Sequence, residues 1–320
     1  MALPVSISLV RSPLTAPILD GQFVIGGITL KINEAKSVNR NSQEMLDGVY
    51  DVAEMSLATY FKAREDGLPL IGLPIFTGRR FVHSGIHTRA GFGVSSPEQL
   101  AGRCICVPQY WMTSSVWHRI LLSEEYGVRA DQVRWITTSR ERLKTADYPP
   151  DIDITLVDGV LPGDLLAEGV VDAVLVPKRG GRMMGSAPYE TPFDDIVGAQ
   201  RGSYTKTGIF PIMHFIVMRA PLADEIPTLP SDIREIFGAA KTTTLNDAQA
   251  LAGMESPLWG ETVENALPLF GGDPWPYGIA ANRPTLEAIQ TSLLEQGFIH
   301  TRMPMETLFA AQTGFMEEVS

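Results

Sequence analysis

The sequence predicts an α/β protein of two lobes, with mixed sheets flanked by helices and a cleft for a small molecule between the lobes. Three observations lead there. Short β-branched or apolar runs alternate with helical patterns through most of the 320 residues. The strands predicted at Gly85–Arg89 and His214–Met218 bracket about a hundred residues with an alternation of their own, which reads as one lobe inserted into the other. A chain of this length, 44% hydrophobic, can bury a core in each lobe. The expected division is 1–95 with 210–320 for the first lobe, and 96–209 for the inserted one.

Taken in order, the strands are expected at Val5–Val10, Thr29–Ile32, Val52–Met55, Leu70–Ile75, Gly85–Arg89, Cys104–Val107, Gln132–Ile136, Ile152–Leu156, Ala173–Val176 and His214–Met218. One helix starts near Thr113, where Val116, Trp117, Ile120 and Leu121 repeat with helical spacing, and stops before Gly127. A second runs from about Ser56 to Gly67. A third runs from Thr285 to Gly297, with Pro284 in its first turn. The stretch Gly180–Gly208 is rich in Gly, Ser and Pro with weak periodicity, and is expected to be a long loop or lid.

The net charge of −11 comes from interspersed acidic and basic residues, so no basic field exists to hold nucleic acid or an anionic membrane face. No run approaches the roughly 18 apolar residues of a membrane span. The N-terminal residues show no secretory signal, which gives the expectation of a cytoplasmic protein. Cys104 and Cys106 stand two apart on one strand, too constrained to bond each other, and read as core residues.

Two strand-to-helix junctions can receive an anion. One lies between Glu54 and Ser56, the other between Val107 and Thr113–Ser114. Helix N-termini present unpaired N–H groups and the positive end of the dipole, although such hydroxyls often do no more than cap the helix. The segment Gly78–Arg89 gathers cations and imidazoles. Arg79, Arg80 or Arg89 can clamp a carboxylate through two parallel hydrogen bonds, whereas an arginine on a surface is also simply well solvated. His83 and His87 are four apart, a spacing that shares a face on a strand, and with Glu54 they resemble a ligand set. No His-Glu-x-x-His motif accompanies them, so a metal is the lesser expectation and no cofactor the greater. His214 lies inside the apolar run Phe210–Met218. It is either a hydrogen-bonded core residue or an imidazole tuned for acid–base work. Phosphate-binding loops, nucleophile elbows and dinucleotide fingerprints are absent from the sequence.

Several strings together resemble the 4,5-dihydroxyphthalate decarboxylase family: Asp51-Val-Ala-Glu-Met-Ser-Leu-Ala-Thr-Tyr60, His83-Ser84, Tyr110, Met112-Thr113 with Trp117, Glu125-Tyr-Gly127, Thr207-Gly-Ile-Phe-Pro-Ile-Met-His214, and Trp275-Pro-Tyr-Gly278 with Ala281-Asn-Arg283. The resemblance implies a type II periplasmic-binding-protein-like fold and a cofactor-free carboxy-lyase acting on a small aromatic carboxylate, as a homo-oligomer. In that light His83, His214 and Glu54 are the expected catalytic groups. Arg89, Ser56, Tyr110, Thr113, Ser114, Arg79 and Arg80 are the expected substrate contacts. Two positions depart from the family pattern: Arg11-Ser-Pro-Leu14 replaces an acidic and basic cluster, and Gln109 replaces a glutamate. Both bear on which aromatic acid is taken. A solute-binding or sensing protein of the same fold, binding a small anion without chemistry, is the alternative.

Overall fold

In a computed structural model, which describes residues 2–177, 181–185 and 188–310, the chain forms two compact units. The first comprises Met1–Arg79, Ile212–Leu286 and Thr301–Ser320, the second Arg80–Pro211 and Glu287–His300.

The first unit is built on a five-stranded sheet. Its strands are β1 (Leu3–Val10), β2 (Ile28–Ala35), β3 (Val52–Ser56), β4 (Leu70–Arg79) and, late in the chain, Ile212–Arg219. The spatial order is β2-β1-β3-(Ile212–Arg219)-β4. The first three run parallel, while Ile212–Arg219 lies antiparallel to both β3 and β4. β3 is buried along its whole length, as a strand covered on both faces must be. One face of the sheet packs Val5, Ile7, Leu73, Ile75 and Ile216 against the helix Leu229–Asn246. That helix contributes Leu229, Ile233, Ile236, Phe237 and Ala240, a spacing that lays one apolar stripe on the sheet. Among the aromatics, Tyr60 meets Phe215 edge-on at 4.9 Å between ring centres.

The second unit is built on a six-stranded sheet. Its strands are β5 (Ile86–Arg89), β6 (Cys104–Val107), β7 (Arg134–Thr137), β8 (Ile154–Leu156), β9 (Ala173–Leu175) and β10 (Tyr189–Glu190), in the order β10-β5-β9-β6-β7-β8; the strand Ile212–Arg219 of the first unit is β11. β9, β6, β7 and β8 run parallel, and β5 is antiparallel to its neighbours on both sides. Cys104 and Cys106 are free, buried thiols in a core with Leu165, Leu166 and Val174. Thr113–Tyr126 is a helix closed by Gly127 at φ 66°, a left-handed C-terminal position that suits glycine.

Three features differ from the sequence expectation. Because β5 pairs with β9 and β10, residues 80–95 belong to the second unit, and residues 287–300 join it as well. Gly180–Gly208 is not one loop. It contains β10 and the twelve-residue helix Ile196–Thr207, opened by the Asp195 carboxylate accepting from Gly198 N at 2.9 Å and closed by Gly208. The buried stripe of that helix is Ile196, Gln200 and Ser203, two of them polar, so hydrophobic periodicity could not reveal it. Residues 180 and 186–187 of this stretch lie outside the described residues. Finally, His83 and His87 do not share a strand: His83–Gly85 is a single 3-10 turn, and β5 begins only at Ile86.

Candidate active site

In the first unit, strand register brings Glu54 and His214 together. Glu54 lies on β3 and His214 on β11, where His214 pairs across with Ser56 on one side and with Gly78 of β4 on the other. Glu54 Oε1 stands 3.9 Å from His214 Nδ1, with the carboxylate side chain 6% exposed and the imidazole 28% exposed. Each carboxylate oxygen has a donor: Thr77 Oγ1 donates to Oε1 at 2.6 Å, and Val10 N donates to Oε2 at 3.1 Å. Burial pushes the Glu54 pKa up, while the Thr77 and Val10 hydrogen bonds oppose that rise. A Cβ at position 78 would sit 2.6 Å from His214 Nδ1, so only glycine leaves room for the imidazole where it lies. Behind the pair, Asn41 Nδ2 ties β1 to β3 through the carbonyls of Ser8, at 2.8 Å, and Glu54, at 3.1 Å.

Other predicted residues of this unit have structural work. Ser56 occupies the N-cap position of the helix Leu57–Glu65, yet its hydroxyl makes no capping bond; its backbone N–H donates to Ser42 Oγ at 3.0 Å. Arg79, expected in a carboxylate clamp, instead donates from Nη2 to Asn282 Oδ1 and to Pro276 O at 3.3 Å, buttressing the Trp275–Gly278 loop. Arg11 is exposed and paired with Asp20 at 3.0 Å and Glu34 at 2.8 Å. With Ser12, Asp20, Thr244 and Asp247 it lines an open depression of about 470 Å³, whose Asp247 caps its own helix and whose Thr244 donates to Pro13 O.

In the second unit a different set is buried. His83 is packed between Phe81 and Phe193, ring centres 5.9 and 5.5 Å away, and neither ring nitrogen has a hydrogen-bond partner. Burial lowers its pKa to about 4. His118, on the helix Thr113–Tyr126, shares a hydrogen bond of 3.0 Å between Nε2 and Val82 O. Burial chiefly, then the nearby charges of His87 and His83, set against the Val82 bond, lower its pKa to about 3. His87 packs against Tyr189, ring centres 4.4 Å apart and planes tilted by 53°. Both His83 and His118 are therefore neutral imidazoles at neutral pH. Among the described residues, no group of three or more His, Cys, Asp or Glu side chains is arranged to hold a metal ion.

The helix Thr113–Tyr126 opens at Thr113, with Met112 before it and no side-chain cap. Ser114 Oγ, close by and buried, has no hydrogen-bond partner. The loop leading in is rigid: Tyr110 is buried, its N–H donates to Glu141 at 2.7 Å, its carbonyl accepts from Arg119 Nη1 at 2.7 Å, and the Arg119 guanidinium stacks 3.7 Å from its ring centre. The Tyr110 hydroxyl itself is buried without a partner. Gln109 Nε2 donates to Arg140 O, so the residue that departs from the family pattern closes this loop. Arg89 is placed apart in role: its guanidinium lies 4.4 Å from the centre of the Phe92 ring, which it shares with Arg103 at 4.9 Å, and a Cβ on Gly169 would strike its Nη1. Arg80 reaches Pro177 O at 3.4 Å.

Sequence reasoning did not find Thr77, Gly78, His118 or Arg119. His118 and Arg119 were discoverable as polar residues on a helix otherwise patterned for burial, but Thr77 and Gly78 gain their meaning only from the register of β4 with β11.

An α/β chain with two mixed sheets of this kind has the fold of the periplasmic binding proteins. The periplasmic aliphatic sulphonate binding protein SsuA of Escherichia coli matches it with a TM-score of 0.55 over 97% of this chain and 98% of its own, at 11% identity, a likeness of fold alone. No protein-family model matches the chain. Among characterised proteins, the 4,5-dihydroxyphthalate decarboxylase of Comamonas testosteroni is 30% identical over 320 residues, covering 96% of each chain, and that of Pseudomonas putida is 30% identical over 171 residues, covering 51% of this chain and 66% of its own. The chain belongs to the 4,5-dihydroxyphthalate decarboxylase family, and by that membership it is a carboxy-lyase. No helix among its described residues is long and apolar enough to cross a membrane.

Proposed function

We propose that this enzyme decarboxylates a hydroxylated aromatic dicarboxylic acid of the 4,5-dihydroxyphthalate type, giving a protocatechuate-like product and carbon dioxide, with Glu54 and His214 as its proton-handling pair. The observation that carries the proposal is the 3.9 Å approach of a buried carboxylate to a partly exposed imidazole, each held by neighbouring strands.

The chemistry calls for such a pair. Direct loss of carbon dioxide from an arene leaves an aryl anion with no electron sink. A ring hydroxyl para to the departing carboxylate supplies one. A base removes the phenolic proton, and the electron pair released into the ring takes a proton at the carbon bearing the carboxylate, forming a dienone. The carbon–carboxylate bond then breaks, its electron pair restores the aromatic ring as a phenolate, and the phenolate recovers the proton held by the base. The net change is one proton taken up and one carbon dioxide released, which needs no oxidant or reductant.

Glu54 is assigned to the phenolic proton, because burial raises the basicity of its carboxylate. His214 rather than His83 is assigned to the ring carbon, since it is open to solvent protons, whereas the pKa of His83, near 4, leaves it without a proton to give. In the second unit taken by itself, the uncapped N-terminus at Thr113 with the Ser114 hydroxyl is suited to a carboxylate. The reading needs no cofactor and takes the protein to be cytoplasmic.

The test is to incubate purified, chelator-treated protein with a panel of hydroxylated phthalates and isophthalates, following carbon dioxide release and ligand-induced thermal shift together. Release from a para-hydroxylated member supports the proposal. Binding throughout the panel without release would instead make the chain a binding protein, and release lost on chelation would require a metal.

A further inference from the structure

The loop Trp275-Pro-Tyr-Gly278 is held far more tightly than a surface connection requires. Gly278 N donates to Pro74 O of β4 at 2.8 Å. Asn282 Nδ2 donates to the carbonyls of Pro276, at 2.9 Å, and Gly278, at 2.7 Å. Arg79 reaches Pro276 O and Asn282 from the end of β4. Lys241 Nζ donates to Trp275 O at 2.9 Å and to Asp273 Oδ2 at 2.6 Å, and lies 4.6 Å from the centre of the Tyr277 ring. The residue these anchors present is Tyr277.

Its hydroxyl is shielded from water and has no hydrogen-bond partner. A buried tyrosine hydroxyl normally finds one, and an orphan is destabilising relative to a satisfied group. The ring is only half-buried, so the loop borders solvent. The loop is pinned to β4 at Pro74 and at Arg79, and Thr77, between those two positions, holds the Glu54 carboxylate; Tyr277 itself packs on the sheet cluster that includes Val52 and Ile75, which places it on the strands that carry the carboxylate assigned to proton transfer. Burial first, and then the carboxylates of Asp273 and Glu54, push its pKa well above the usual range, so it remains a neutral donor at any working pH.

The geometry points to Tyr277 as a substrate-recognition residue that donates a hydrogen bond to a ring oxygen of the hydroxylated aromatic acid, beside Glu54. This rests on the reading of Glu54 and His214 as the reactive pair. The anchors around it fix the hydroxyl in advance, so its bond to the ligand costs little ordering. A site built to pair with a ligand hydroxyl also rejects the analogue that lacks it, because the protein group then stays unsatisfied.

The test compares the full-length wild type with Tyr277→Phe and Glu54→Gln, titrating each with 4,5-dihydroxyphthalate and with phthalate, which has both carboxylates and no hydroxyl. Tyr277→Phe is expected to weaken dihydroxyphthalate binding at least tenfold, leave phthalate binding unchanged and leave the melting temperature equal or higher. An equal loss for both ligands, no loss for either, or failure of the variant to fold would show the tyrosine to be structural and overturn the inference. Glu54→Gln separates the two ideas: full decarboxylation by that variant overturns the reactive pair, whereas lost turnover alongside an unaffected Tyr277→Phe overturns the recognition role alone. Failure of the wild type to bind either ligand overturns both.

Discussion

Thr77 donates its hydroxyl hydrogen to Glu54 Oε1 at 2.6 Å, and that same oxygen faces His214 Nδ1 at 3.9 Å. One hydroxyl on β4 thus turns a carboxylate on β3 toward an imidazole on β11. Removing it changes both the aim and the acidity of Glu54.

Thr77→Val is expected to shift the acidic limb of the kcat/KM profile to higher pH. The Thr77 hydrogen bond favours the ionised carboxylate, so its loss adds to the rise that burial already imposes, and a larger fraction of Glu54 is protonated at a given pH. Thr77→Ser keeps the donor and should keep the wild-type limb. Identical pH–rate profiles for Thr77→Val and wild type would remove Thr77 from the site.

Gly78→Ala should lower kcat at least tenfold with little loss of melting temperature. The backbone at Gly78 is not in the left-handed region, so alanine fits the strand; the added Cβ meets His214 Nδ1 at 2.6 Å and must displace the ring. Misplacing a reacting group by about 1 Å costs roughly a hundredfold in favourable cases, which sets the scale. Steady-state kinetics with a thermal melt decides it.

Ser114→Ala separates binding from folding. The Ser114 hydroxyl is buried and unpartnered, so its removal should leave stability unchanged or slightly raised. If the hydroxyl receives a substrate carboxylate, KM rises several-fold while kcat holds. A lowered melting temperature with unchanged KM would mean a purely structural hydroxyl.

The second unit's histidines bear on acid stability. His83 and His118 have folded pKa values near 4 and 3, below the unfolded value of 6.5, so the unfolded chain binds more protons as the pH falls. Their burial therefore contributes stability that is fully present above about pH 6.5 and is lost as the pH falls toward 4 for His83 and toward 3 for His118. Imidazole resonances followed by NMR should show both rings neutral at pH 5. A His83 midpoint near 6.5 would contradict its burial.

Much of the fold was legible because many of its strands are short apolar or β-branched runs whose burial follows local composition, as at Cys104–Val107 and Ala173–Leu175. The helix Ile196–Thr207 was not, since Gln200 and Ser203 occupy its buried face. Glu54 and His214 stood out singly, one at a strand-to-helix junction and one in an apolar strand. Their partnership did not, because it arises from the pairing of strands some 160 positions apart in the chain. Arg79 illustrates the converse: a cation in a cationic cluster suggested a substrate clamp, but the contacts of its guanidinium with Asn282 and Pro276 belong to a loop nearly 200 residues away.

The most direct test of the central claim is the turnover of His214→Ala on a para-hydroxylated phthalate, measured as carbon dioxide release beside a thermal melt. General acid–base groups contribute about 10²–10⁴-fold. A fall of at least a hundredfold with the melting temperature preserved is predicted, and a fall of less than tenfold would contradict the assignment of proton delivery to this imidazole.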